Sequence, residues 1–170
     1  GKSVFGCRFL QECIPFGTQD DAEQLLTVFL PNLVEYAKDA YGNYLIQQLI
    51  GSVGDQMVVD VATMLKERVV ELATDKHCSN VLERIIETRN QQAHEALFDQ
   101  LLSTERQLGL LRSRYGNYVI QSILTCCSST YAHKFAQWLA PFASQIKQLP
   151  YCKNIQAKLS RHSFKQQRGL

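Results

Sequence analysis

The sequence predicts an all-α protein, a curved α-solenoid built from three-helix repeats of about 36 residues. Three observations predict it: a seven-residue motif occurs five times, apolar residues follow helical spacing, and prolines fall between the periodic segments. The 170 residues are 45% hydrophobic and 20% charged, so the chain has enough apolar surface for one continuous core.

The motif marks each repeat. Residues 41–47 have the sequence YGNYLIQ, and residues 115–121 have the sequence YGNYVIQ. Weaker copies with the same apolar and polar pattern occupy 5–11, 77–83 and 151–157. The copies begin 36, 36, 38 and 36 residues apart, which is typical of a protein whose neighbouring repeats share a core.

The second repeat shows how each unit is expected to fold. Apolar residues within 45–50 form a continuous stripe, which predicts a helix beginning near Gly42. Two glycines end this helix, and a second one begins at Asp55 with apolar residues of 57–65 on one face. A short third helix over 68–75 leads into the next motif.

Charge and composition exclude several classes of function. Residues 1–105 carry eight Lys and Arg against sixteen Asp and Glu, a net charge of −8, whereas residues 106–170 carry +10 and no acid. A basic end of this kind favours a polyanionic partner. The spacing of the six cysteines and four histidines fits neither a disulfide framework nor a metal site, and no catalytic motif is present. We therefore expect free thiols in a reducing compartment, no metal or cofactor, no enzymatic activity and no membrane span.

Three positions vary within the constant apolar frame of the motif. The apolar stripe leaves these positions facing outwards, and the first and third are four residues apart on one helix face, so two polar side chains can address one planar group. The middle residue can offer a flat surface for stacking. The polar pair and the flat residue together predict a surface for single-stranded nucleic acid. Asn as a helix cap, Tyr as a core aromatic and Glu as a surface charge remain alternatives. The trios are Cys7/Arg8/Gln11, Asn43/Tyr44/Gln47, Ser79/Asn80/Glu83 and Asn117/Tyr118/Gln121.

These motifs resemble those of the Pumilio (PUF) family of RNA-binding proteins over essentially the whole chain. The resemblance implies one RNA base per repeat, contacted at its edge by the first and third residues and stacked on the middle one. It makes Asn43/Gln47 and Asn117/Gln121 uracil-binding pairs, Ser79/Glu83 a guanine-binding pair and Cys7/Gln11 an adenine-binding pair. The stacking residues are then Arg8, Tyr44, Asn80 and Tyr118.

The resemblance also implies an RNA sequence and a cellular role. The family binds RNA antiparallel to the protein, so the order of the trios gives a core of 5′-UGUA-3′. Such a protein is expected to be cytoplasmic and to bind mRNA 3′ untranslated regions, repressing translation or promoting decay with co-regulators that the sequence does not identify. The last motif has no base-edge pair and resembles a capping half-repeat, whose Lys153, Lys158, Arg161 and Lys165 are candidate contacts to the RNA backbone.

The resemblance implies a single domain made of successive repeats. A partial repeat (1–31) precedes repeats at about 32–67, 68–105 and 106–141, and the capping half-repeat occupies 142–170. The order of the trios resembles repeats five to eight of an eight-repeat domain, so we expect either the C-terminal part of a longer protein or an abbreviated member. An open end of a solenoid exposes apolar residues, which favours dimerisation there.

Two other functions remain open. A nucleolar relative in ribosome biogenesis would grip structured RNA through its phosphates, but it should be basic throughout. A protein-interaction solenoid of the HEAT or armadillo kind would share the architecture without needing trios that match base edges.

Overall fold

The computed structural model describes residues 3–159, and all regular secondary structure in this range is helical. Most helices follow one another in groups of three: a short helix, a helix that carries the motif, and a longer helix. The predicted all-α solenoid is confirmed. The helices are α1 (Val4–Cys13), α2 (Gln19–Phe29), α3 (Leu33–Lys38), α4 (Gly42–Ile50), α5 (Asp55–Leu65), α6 (Val69–Ala73), α7 (Cys78–Glu87), α8 (Gln91–Leu102), α9 (Gln107–Arg112), α10 (Gly116–Cys126), α11 (Ser129–Leu139), α12 (Ala143–Gln148) and a terminal helix over 153–159.

The helices form two layers with the core between them. The motif helices α1, α4, α7 and α10 pack side by side in chain order, and the longer helices α5, α8 and α11 pack side by side in the other layer. Leucine, isoleucine and valine side chains from both layers are almost completely buried and form a continuous cluster. The motif helices are therefore held in parallel register by a shared apolar core.

An aromatic cluster joins α8 to α11. The fully buried rings of Phe98 and Phe135 meet edge to face, with ring centroids 5.4 Å apart. His94 stacks on Phe98 at 4.6 Å, and its Nε2 lies 2.7 Å from the carbonyl oxygen of Ile86. Burial lowers the pKa of His94, so the ring is a neutral, hydrogen-bonded part of the core.

The helix boundaries match the sequence in places and differ in others. α5 begins at Asp55, as predicted, whereas α6 covers only Val69–Ala73 of the predicted 68–75. The last residues of that range form a turn, because Asp75 bonds to backbone N–H groups at the start of α7. No helix in the described part of the chain is long and apolar enough to cross a membrane.

Candidate nucleic-acid interface

Four polar residues at the motif period fix the start of each motif helix. Asp39 Oδ1 accepts hydrogen bonds from the backbone N–H groups of Tyr41 (3.0 Å) and Gly42 (2.8 Å), which satisfies the otherwise unpaired end of α4. These residues were not predicted from the sequence, although their spacing of 36, 36 and 38 residues is the spacing of the motif itself. Equivalent bonds run from Gly6 N to Ser3 Oγ (3.3 Å), from Cys78 N to Asp75 Oδ1 (2.9 Å) and from Gly116 N to Ser113 Oγ (3.0 Å).

Two glycines allow α4 and α10 to start close to the short helix before them. A Cβ atom on Gly42 would lie 2.7 Å from the carbonyl oxygen of Tyr36, and one on Gly116 would lie 2.8 Å from that of Leu110. Both distances are too short for any side chain, because the clashing atoms belong to the backbone. In α4 and α10, the glycine and the polar residue before it together set the rotation of the helix, and hence the direction in which its trio faces.

The first residue of the trio is buried, contrary to the expectation that Asn43 and Asn117 face outwards. Asn43 is 0% exposed, and its Nδ2 donates to the carbonyl oxygens of Asp39 (2.8 Å) and Ala40 (3.1 Å). Asn117 is 1% exposed and donates in the same way to Ser113 O at 3.0 Å. The amide turns inwards because carbonyl groups of the turn before the motif helix lie within its reach. The alternative that these asparagines cap the helix is wrong, because the capping positions are Tyr41 and Tyr115 and the Asn side chains donate to carbonyl groups.

The second base-edge residue lies over the first in both Asn/Gln repeats. Gln47 Nε2 donates to Asn43 Oδ1 at 3.0 Å, and Gln121 Nε2 donates to Asn117 Oδ1 at 2.8 Å. Both glutamines are half-buried. Each pair is therefore internally hydrogen-bonded in the absence of a ligand, with the glutamine as its outer member.

The stacking positions are exposed in three of the four trios. Tyr44 is 56% exposed and Tyr118 is 52% exposed, so the alternative that they are core aromatics is wrong. Arg8 is also exposed, and Asn80 is half-buried. The two tyrosine rings are accessible for planar groups to stack against.

The Ser79/Glu83 pair differs from the others in its charge. Ser79 is 2% exposed, and Glu83 is half-buried. Burial raises the pKa of Glu83, and the nearby charge of Glu87 raises it further, whereas the Ser122 hydroxyl lowers it by donating to Glu83 Oε2 at 3.2 Å. The result is a carboxylate held partly out of water with a donor from the next motif helix.

The Cys7/Gln11 pair lies at the amino-terminal end of the described chain. Cys7 is buried and Gln11 is half-buried. The backbone carbonyl of Gln11 accepts a hydrogen bond from Gln48 Nε2 at 2.7 Å, so the end of this motif helix is linked to α4.

The candidate backbone contacts are only partly within the described range. Lys153 is exposed, and the half-buried Lys158 donates to Thr125 Oγ1 on α10. Arg161 and Lys165 lie outside the described residues. Within 3–159, no group of three or more His, Cys, Asp or Glu side chains is placed to hold a metal ion.

Comparison with known proteins matches this architecture. The family model described as the Pumilio-family RNA binding repeat matches residues 2–28 and 32–57, and the model of the NOP9-like PUF repeat domain matches residues 69–156. A Pumilio domain-containing protein of Schizosaccharomyces pombe is 28% identical over 92% of this chain and 23% of its own length. Pumilio homolog 11 of Arabidopsis thaliana is 32% identical over 90% of this chain and 27% of its own length.

A solved structure shows the same fold. It is a Puf4 mutant bound to the recognition sequence of the Cox17 RNA 3′ UTR; it is 23% identical and superimposes with a TM-score of 0.86 over 95% of this chain and 49% of that chain. This chain thus spans about half of the solved domain and less than a third of the two curated relatives. The periodic motif, the two-layer helical array and these matches lead to one conclusion: the chain belongs to the Pumilio (PUF) repeat family.

Proposed function

We propose that this chain binds single-stranded RNA sequence-specifically, with one base on each of four motif helices and a core of 5′-UGUA-3′. The observation that carries the proposal is the packing of α1, α4, α7 and α10 side by side with their trios at equivalent positions. In each repeat the half-buried second base-edge residue lies on the same helix as a stacking residue, which is exposed in three of the four repeats, and this arrangement recurs from one motif helix to the next. A strand of regularly spaced bases has the matching alternation of hydrogen-bonding edges and stacking faces.

The side chains of each pair fit the base assigned to it. Uracil presents an acceptor beside a donor, which the Gln47 amide can match with its own donor and acceptor, while the buried Asn43 supports Gln47 from below. Guanine presents two adjacent N–H donors, which the Glu83 carboxylate can accept together. Adenine presents an acceptor beside an amino group, which a single amide such as Gln11 can bond.

The proposed biological role is based on the similarity of this chain to proteins of the same family. The Puf4 mutant is described as bound to a 3′ UTR recognition sequence, which supports mRNA 3′ untranslated regions as the targets of this chain. On this proposal the protein acts in the cytoplasm, in translational repression or mRNA decay.

Unbiased selection from a random single-stranded RNA library tests the proposal. We expect UGUA to be enriched in the RNA retained by this chain. A control variant in which Gln47, Glu83 and Gln121 are all alanine should enrich no common core. Enrichment of an unrelated sequence by the parent chain, or of none, would contradict the assigned pairs.

The match to the NOP9-like PUF repeat domain supports a second candidate function. That candidate is binding of structured RNA in ribosome biogenesis, mainly through phosphates. The acidic residues of 1–105 weigh against it, because they would repel a phosphate backbone along most of the array.

The salt dependence of binding separates the two candidates. If base edges and stacking dominate, affinity should depend only weakly on salt. A plot of the logarithm of affinity against the logarithm of salt concentration should have a slope of about −0.7 for each phosphate neutralised, and we expect about two or three such contacts. Changing Lys153 and Lys158 to Gln should lower this slope without changing the preferred sequence. Binding to UGUA and to an unrelated RNA over a salt series measures both effects. A steep slope with no preference for UGUA would favour ribosome biogenesis.

A further inference from the structure

One position of each motif helix contacts the repeat before it. It directly follows the last residue of the seven-residue motif, which is the second base-edge residue in the repeats that have a base-edge pair. Because each motif helix packs against the preceding one, a side chain at this position can reach the repeat before it. The residues at this linking position are Gln48, Arg84, Ser122 and Lys158.

Three of the four linking residues contact the preceding repeat at a backbone group, a glycine or a threonine hydroxyl. Gln48 donates to the carbonyl of Gln11 at 2.7 Å. The Arg84 guanidinium packs directly against Gly51, where a Cβ atom would force the guanidinium to move. Lys158 donates to the hydroxyl of Thr125. None of these contacts involves a base-edge side-chain atom.

Ser122 is different because its side chain is short. Its hydroxyl reaches Glu83 Oε2 at 3.2 Å, so it contacts the base-edge group of the preceding repeat itself. Glu83 is half-buried and is the one acid in the four trios. A carboxylate in that setting benefits most from a fixed donor, because an unpaired charged oxygen removed from water is costly.

We propose that Ser122 is a specificity-determining positioning residue for guanine, which holds the Glu83 carboxylate in the orientation that accepts the two guanine donors. The proposal rests on the proposed function, since it concerns how the Ser79/Glu83 pair recognises its base. Recognition of guanine is then divided between two repeats, with the acceptor on α7 and its support on α10.

The hydrogen-bonding capacity of the carboxylate allows this arrangement. Two carboxylate oxygens offer about four acceptor sites, so guanine can bond Oε1 and Oε2 while Ser122 keeps its bond to Oε2. A glutamate side chain has three rotatable bonds, and fixing it before the base arrives reduces the entropy lost on binding. An uncharged glutamine at position 83 would need this support much less.

A double-mutant cycle tests the proposal. Ser122→Ala is combined with the parent pair and with the pair Ser79→Asn/Glu83→Gln, and the dissociation constants of all four proteins are measured for UGUA and UUUA RNA. We expect Ser122→Ala to weaken UGUA binding by roughly threefold to tenfold in the parent background. In the Asn/Gln background, UUUA binding should change by less than about twofold. Ser122→Thr, which keeps the hydroxyl, should restore UGUA binding.

Thermal unfolding of each variant controls for the fold, and alanine is at least as favourable as serine within a helix. Equal weakening in both backgrounds would show that Ser122 only supports the packing of α10, and no weakening would show that Glu83 needs no support; either result overturns the proposal. Failure of the proposed function is visible separately, because the parent chain would then not prefer UGUA over UUUA.

Discussion

Changing Ser79 to Asn together with Glu83 to Gln should shift the preferred core from UGUA to UUUA. The double change recreates the pair that flanks it on both sides, Asn43/Gln47 and Asn117/Gln121, so that all three central repeats would match uracil. By analogy with bidentate base contacts, the change in discrimination should be about 1–3 kcal/mol, or roughly fivefold to 150-fold. Competition binding with two RNAs that differ at this one base measures it.

The pH dependence of binding is an internal control for this switch. Only the ionised carboxylate of Glu83 accepts both guanine donors, and burial places the pKa of Glu83 above its ordinary value of 4.5. The affinity of the parent chain for UGUA should therefore fall on acidification before an ordinary glutamate would be protonated. The Asn/Gln variant has no such group and should not lose UUUA binding over that range. A guanine preference unchanged by the double change would contradict the assignment of Ser79 and Glu83.

Tyr44→Ala should weaken RNA binding by about 1–3 kcal/mol while largely preserving the base preference. The ring is 56% exposed and lies outside the core, so its loss removes a stacking surface without opening a cavity. Titration with UGUA RNA measures the affinity, and thermal unfolding measures the stability.

The matched control is Tyr44→Phe, which keeps the ring and removes the hydroxyl. This variant should bind nearly as tightly as the parent chain, because stacking needs only the flat face. A fall in melting temperature that parallels the lost affinity in Tyr44→Ala would assign the ring to the fold instead. Full affinity in a folded alanine variant would remove Tyr44 from the interface.

The fold could be predicted from the sequence because a repeated motif indicates a repeated packing environment. A motif that returns about every 36 residues must occupy the same environment each time, and the apolar stripe within it specifies a helix. The start of α5 at Asp55 was predictable from a local signal, because a glycine directly precedes it. The capping residues Asp39 and Asp75 share that period and were equally visible.

The geometry of the site was less predictable. Helical spacing shows which side chains share a face, but it does not show which partner an amide will choose. Asn43 turns inwards because two carbonyl groups of the preceding turn lie within its reach. The contact of Ser122 with Glu83 spans 39 residues and depends on how α7 and α10 pack, which no local pattern encodes.

On the proposed function, the hydrogen bond between Gln47 and Asn43, and its counterpart between Gln121 and Asn117, should affect how strictly these two repeats choose their base. Strong rejection of a wrong base requires that the mismatch leave polar groups without partners. An Asn/Gln pair facing a mismatched base can close on itself again, so its groups keep a partner and the penalty shrinks. Glu83 has no alternative set of hydrogen-bond partners of this kind, because the single Ser122 donor does not replace the two donors of guanine. Natural variation among bound RNAs should accordingly concentrate at the uracil positions, with guanine as the most constant letter of the core.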